Sequence, residues 1–181
     1  LALMYQHLSL SHKVARALQS PCSLDELLGL FETELPGSIL ADAVGLHVPG
    51  ALHHPSVALV YPEHFRDLME AQFEQLNRYP ESRNVVISDY PDFDPNQREH
   101  RGGLVAARVR SIGSVEGWIV AVRRQGRFGT EEGQLLQSLA NILAGQLDSA
   151  LLLREKDAMV LSMIRSFAST LDARDKYTSG H

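Results

Sequence analysis

The side chains here that most readily do chemistry are histidines, carboxylates and arginines. Imidazoles ligate metals and haem, so His47, His53, His54, His64 and His100 are tested first for that role. The adjacent pair His53-His54 is the most suggestive. Neighbouring side chains on a strand point to opposite faces, however, and such a pair does not readily share one ion. We read His53 and His54 as solvated turn residues, and His64 and His100, which flank the segment that would roof a ligand, as surface or hydrogen-bonded histidines. Asp89, Asp92, Asp94 and Glu99 crowd one polar stretch, a density that suits a hard cation or a general acid/base pair. Their spacing matches no calcium loop, and they read as solvent-facing carboxylates. Arg108, Arg110, Arg123, Arg124 and Arg127 lie on or after late strands, where alternate guanidinium groups would point inward and clamp an anion. Tyr61, Phe65, Phe73, Tyr90, Phe93 and Trp118 offer aromatic faces for a pocket wall or a core. The ligand-pocket candidates drawn from these groups are Tyr61, His64, Phe65, Phe73, Asp89, Tyr90, Arg108 and Trp118. No catalytic set emerges.

Composition narrows the classes of partner. The chain has 181 residues, 44% of them hydrophobic, enough for one domain with flanking helices. A formal charge of −5 leaves no basic excess to neutralise phosphates or an anionic lipid surface, so neither nucleic acid nor membrane insertion is expected. A single cysteine, Cys22, excludes a disulfide framework, a thiolate metal cluster and a two-cysteine redox cycle within the chain, and suits a reducing cytoplasm. No apolar run reaches the roughly 18 residues of a membrane span. Leu1 in place of an initiator methionine gives the expectation of a longer parent.

The elements that must position these residues follow from periodicity. Leu1 to Leu18 has helical spacing that Ser20-Pro21 stops. A second helix starts behind Ser23 as N-cap, with Leu24, Leu27, Leu28, Phe31 and Leu35 on one face, and Pro36-Gly37 ends it. Ala43 to Val48 and Ser56 to Tyr61 are short apolar runs that read as paired strands. Helical spacing returns between Pro62 and Asn77, Asn84 to Ser88 is a brief strand, and Asp89 to Gly103 is a polar loop. Leu104 to Arg110 and Glu116 to Arg124 form a hairpin through Ile112-Gly113-Ser114. Thr130 caps a final helix that meets no proline before the end. A seven-residue apolar repeat runs along it through Leu136, Leu143, Ala150 and Ile164 in one position and Leu139, Leu153, Val160 and Phe167 in the other, with Gln146 and Asp157 as polar interruptions. That repeat predicts a parallel homodimer through the terminal helices. The alternative is that Leu135 to Leu147 alone is buried, against the chain's own sheet.

Two stretches resemble known families. From about Ser20 to Leu152 the element order is that of a GAF domain. Leu24-Asp25-Glu26-Leu27-Leu28 resembles its opening helix, Ala41-Asp42-Ala43-Val44 its entry to the first strand, and Val86-Ile87-Ser88-Asp89 its mid-domain strand and turn. Gly117-Trp118-Ile119-Val120-Ala121 is similar to a late strand, and Arg127-Phe128-Gly129-Thr130-Glu131-Glu132 to the turn into the last helix. The resemblance implies an α+β fold, an antiparallel sheet with helices on both faces and long terminal signalling helices, and a small-molecule pocket under the middle helix. Ser166 to His181, with Asp175-Lys176-Tyr177-Thr178-Ser179-Gly180-His181, resembles the opening of an HD-GYP domain, the metal-dependent class that hydrolyses cyclic-di-GMP. It implies a divalent metal of iron or manganese type in an intact domain, with His181 as one ligand, and no cofactor within residues 1–181.

The organisation expected is therefore a linker helix at 1–19, a GAF-like sensor at 20–152, and at 153–181 a helical linker with the start of an HD-GYP domain. GAF relatives that carry bilins use a pocket cysteine, sulfoxide reductase relatives use more than one cysteine, and cyclic-nucleotide binders carry an Asn-Lys-x-Phe-Asp-Glu signature that is absent between Asn84 and Gly129. The function these resemblances imply is small-ligand sensing and dimerisation that regulates a downstream phosphodiesterase, with no enzyme activity in this chain. The rival is a ligand-free structural dimerisation module.

Overall fold

Strand residues alternate between two apolar faces of one sheet, and the chain supplies helices to cover each. The computed structural model describes residues 24–50, 56–90, 102–111 and 116–178. In chain order these are helices α1 (Leu24–Thr33) and α2 (Leu35–Ser38), strands β1 (Ala43–Val48) and β2 (Val57–Tyr61), a 3-10 turn (Glu63–Phe65), helix α3 (Arg66–Leu76), strands β3 (Val85–Tyr90), β4 (Gly102–Arg110) and β5 (Glu116–Arg123), and helix α4 (Thr130–Thr178). All neighbouring strands are antiparallel, in the order β2-β1-β5-β4-β3. The helix expected over Leu1 to Leu18, Cys22, His53, His54, residues 91–101 and the turn at 112–115 lie outside the described residues.

Period two in the strands decides what packs where. Val44, Leu46 and Val48 of β1 join Val105, Ala107, Ile119 and Ala121 in a cluster completed by Phe31, Leu35, Leu136, Leu139, Leu143 and Leu147. The intervening positions Ala43, Leu104, Ala106, Trp118, Val120 and Val122 meet Phe65, Met69, Phe73 and Leu76 on the other face. Helices thus cover both faces, as the α+β reading expects.

Three local departures have physical causes. The second expected helix divides at Glu34: α2 restarts with Pro36 in its first two positions, where a missing N–H leaves no hydrogen bond unmade. Asp89 and Tyr90 belong to β3 and not to a loop, because they pair with Gly103 and Gly102. The ladder outweighs the poor strand propensity of aspartate. At the start of α4, Thr130 is the first helical residue and not the cap. The Gly129 N–H donates to Glu132 Oε2 at 2.8 Å, the reach-back half of a capping box. Arg123 lies 3.7 Å from the other Glu132 oxygen, donates to the carbonyls of Ile39, Leu40 and Arg127, and stacks on the Phe128 ring at 4.2 Å. One arginine therefore ties the end of α2 to the start of α4.

The chain divides into two compact units after Leu147. In the first, Leu136, Leu139 and Leu143 are 0%, 2% and 0% exposed within the sheet's own core. This corrects their assignment to a dimer seam, because a side chain packed in its own domain has no area left for a partner. In the second unit every side chain from Leu152 to Thr170 is exposed. Leu153, Val160, Ile164 and Phe167 are 59%, 46%, 57% and 70% exposed. No described helix is long and apolar enough to cross a membrane.

Gly117 lets β5 pass close to β1: a Cβ there would lie 2.4 Å from the His47 carbonyl oxygen and 2.7 Å from Val48 Cα. Both obstacles are backbone, so Gly117→Ala is expected to lower unfolding free energy in urea by about 2 kcal/mol or more, in the upper part of the overpacking range. Unchanged stability would mean that the two strands are not this close.

Candidate functional site

Helix α3 covers the second face of the sheet. Its buried residues Met69, Gln72, Phe73 and Leu76 recur at helical spacing, and Glu70 and Glu74 remain exposed. Gly45 of β1 lets it approach: a Cβ there would meet Phe73 Cζ at 3.0 Å and Met69 Sδ at 3.1 Å. The segment after α3 is held by Arg108 of β4. Arg108 donates to the carbonyls of Tyr79 (3.1 Å), Pro80 (3.2 Å) and Arg83 (3.2 Å) and to Glu116 Oε2 (2.7 Å), and its guanidinium stacks on Trp118 at 4.4 Å. Trp118 Nε1 in turn donates to Asn77 Oδ1 at 3.2 Å. Arg110 adds hydrogen bonds to Glu116 Oε1 (2.8 Å) and to the Glu81 carbonyl (2.6 Å).

Among the described residues, Glu116 has a displaced pKa. Burial pushes its carboxyl up, but hydrogen bonds from Arg108 and Arg110, with their charges, outweigh burial and hold it below the ordinary glutamate range.

Between α3 and the β1-β2 side of the sheet a cleft of about 340 Å³ remains, lined by Leu46, His47, Ala58, Val60, Arg66, Glu70, Phe73, Glu74 and Asn77. Leu46 belongs to the core of the opposite face, and His47 is its alternate neighbour on the cleft face. The His47 ring lies 5.3 Å from that of Phe73. A second depression, of about 370 Å³, is lined by Leu40, Asp42, Arg123, Arg124 and Gln125. Its arginines are engaged: Arg123 as described above, and Arg124 over the Phe65 ring at 5.3 Å, with its backbone N–H donating to Asp42 Oδ2 at 2.6 Å. Among the described residues no three of His, Cys, Asp and Glu come together to hold a metal.

The eight pocket candidates do not converge. Phe73 lines the cleft. Phe65 and Trp118 are buried in the core beneath α3. Arg108 shares their face, but its guanidinium is engaged by three carbonyls and a carboxylate, which corrects its reading as an anion clamp. Tyr61 pairs with Val44, which places it on the α4 face and away from the cleft. Asp89, opposite Gly103, shares that face with Arg123 and is ion-paired to Arg127. His64 is exposed in the 3-10 turn, 4.5 Å from the Phe65 ring. Tyr90 ends β3, and its side chain is not among those described. His47 lies on β1, within the strand expected over Ala43 to Val48, but was not among the pocket candidates. Its signal was the run Ala43-Gly45-His47 at period two, a small-residue face that invites a helix.

The fold is that of a GAF domain. No family model matches the sequence, and no curated protein does. Among solved structures, the GAF domain from a phosphoenolpyruvate-protein phosphotransferase of Coxiella burnetii aligns over 85% of this chain and 98% of its own, with a TM-score of 0.57 and 17% identity. The corresponding GAF domain from Acinetobacter aligns over 82% and 97%, with a TM-score of 0.52 and 12% identity. Free methionine-R-sulfoxide reductase from Neisseria meningitidis, solved with its substrate, covers 78% and 88% at a TM-score of 0.50 and 12% identity.

Because the folded Glu116 carboxyl titrates below its unfolded value of about 4.3, its contribution to stability is complete above that value and is lost as pH falls through the lower, folded pKa. Urea unfolding between pH 5 and pH 3 is expected to show a steep acid limb in the wild type and a shallower one in Glu116→Gln. Parallel limbs would mean that the two arginines do not favour the charged form.

Proposed function

We propose that this chain is a regulatory GAF-type module that senses a small ligand, pairs with a second copy of itself through residues beyond Leu147, and controls a C-terminal HD-GYP phosphodiesterase. The observation that carries the proposal is the exposed apolar stripe of the second unit. Leu153, Val160, Ile164 and Phe167 follow one another at intervals of seven, four and three, and each is about half or more exposed. Contiguous apolar area of this kind marks an interaction surface. A heptad-spaced stripe is self-complementary between parallel copies, which favours a homodimer over an unrelated partner.

Control of an HD-GYP domain is supported by the resemblance of Ser166 to His181 to the opening of that domain. The two metal ions of such a domain need several further ligands each, and this sequence offers only His181, so the hydrolytic chemistry belongs to residues beyond this chain. The chain's own part is mechanical. A ligand that binds one arrangement of the pair better than another shifts the population toward it. Asp157 within the stripe weakens the seam locally and keeps two arrangements close in energy.

The structural rival has an observation in its favour. Phe65, Phe73 and Trp118, 7%, 6% and 2% exposed, fill much of the space beneath α3. In that reading the module dimerises without a ligand.

Substitutions in the two halves of α4 separate the roles of its apolar residues. Leu139→Ala is expected to cost about 2–5 kcal/mol of stability, as core leucine truncations do. Leu153→Lys with Phe167→Lys is expected to leave the unfolding transition of the sheet domain in place and to convert a dimer into a monomer by sedimentation or light scattering. A wild type that is monomeric at high micromolar concentration overturns the pairing. In a parent with phosphodiesterase activity, one residue inserted after Leu153 is expected to change that activity; unchanged output means that helix phase does not carry the signal.

A further inference from the structure

We infer that the cleft between α3 and the β2 edge binds a small organic cation with a flat apolar body, which rests on the regulatory reading and names the chemistry of its ligand. At about 340 Å³ the space falls at the small end of the roughly 300–1,000 Å³ typical of small-molecule sites. Its walls suit a flat apolar body: Val60 and Ala58 from β2, the Phe73 ring from α3, and the His47 ring tilted at 44° to Phe73.

Charge supplies the sign. Three ionisable α3 residues border the cleft, Arg66, Glu70 and Glu74. Arg66 is already paired with Glu63 at 2.9 Å. Glu70 and Glu74 stand one helical turn apart on the same helix face, and among the described residues neither takes part in an ion pair. Like charges at this spacing repel, and a bound cation relieves the repulsion while an anion would add to it. The apolar wall and the two carboxylates border the same opening, so one ligand reaches both. Because the carboxylates are solvated, each contributes modestly and the interaction weakens with salt.

The test compares three probes of one shape, phenethylamine, phenethyl alcohol and phenylpropionate, titrated calorimetrically into the full 181-residue chain. Binding is followed in parallel by the fluorescence of Trp118, the only tryptophan, which is hydrogen-bonded to the cleft residue Asn77. The amine is expected to bind about fivefold or more tightly than the alcohol, the acid weakest, and high salt to erase the difference. The variant Glu70→Gln with Glu74→Gln is expected to keep the thermal unfolding of the wild type, since both residues are exposed, and to bind amine and alcohol alike. Equal binding of the three probes, tightest binding of the acid, a preference that survives the double variant, or no binding into the millimolar range each overturns the assignment. The dimer state of the same preparations is read separately: a dimer that binds no amine leaves the ligand-free regulatory reading standing, and a monomer that binds amine removes the pairing and keeps the site.

Discussion

A five-stranded antiparallel sheet that is apolar on both faces must be covered on both, and that constraint settles what the helices of this protein can do. Residues Leu135 to Leu147 of α4, with Phe31 and Leu35, fill one face. On the other, the eleven residues of α3 are too short to reach every strand edge. The ground left uncovered is the β2 side, where Ala58 is exposed and Val60 only partly buried. The cleft is a consequence of that shortfall. Arg108 fixes where it falls: by gripping the Tyr79, Pro80 and Arg83 carbonyls from β4, next to the β3 edge, it holds the segment after α3 on the side of the sheet away from β2. A neutral side chain of the same length would leave those three carbonyls without this donor, while Glu116 would keep only Arg110.

The elements were legible in the sequence because each rests on local signals. Apolar runs of strand length, prolines at the breaks and the Thr130-Glu131-Glu132 start of the last helix placed five strands and the two principal helices. Which face a strand residue occupies was not legible in the same way, since it depends on register, and a shift of one residue inverts every side chain. Tyr61 and Asp89 were credited to the pocket on residue type, yet their partners Val44 and Gly103 place them on the α4 face. Arg108 is on the expected face, but a guanidinium has no preference in sequence between a ligand anion and the chain's own carbonyls. His47 was overlooked for the converse reason: a lone histidine in a strand looks unremarkable until Gly45 beside it brings Phe73 down onto the same face.

The heptad repeat of α4 misled for a more general reason. Spacing of three and four residues reports that one side of a helix is apolar and is silent about what covers it. Leu136, Leu139 and Leu143 meet the sheet, whereas Leu153, Val160, Ile164 and Phe167 meet solvent in this chain. The same period therefore serves two duties in succession along one helix. Only the second leaves apolar area for another molecule.

In the proposed reading, cleft and helix lie on opposite faces of the sheet, so a signal between them has to pass through strands and not around them. β1 is suited to this. Its His47 lines the cleft, while Leu46 and Val48 on either side belong to the core that contains Leu136, Leu139 and Leu143. Interiors packed to crystal density transmit a displacement to the next layer, since there is little void to absorb it. At Gly117 the backbones of β5 and β1 already meet without room for a methyl group, so a shift of β1 is passed on to β5 and, through Arg123, to the carboxylate of Glu132 in the first turn of α4. A ligand that moves His47 by a fraction of an ångström thus acts on the root of α4 by two routes, direct packing through Leu46 and the Arg123 linkage, and both act through β1.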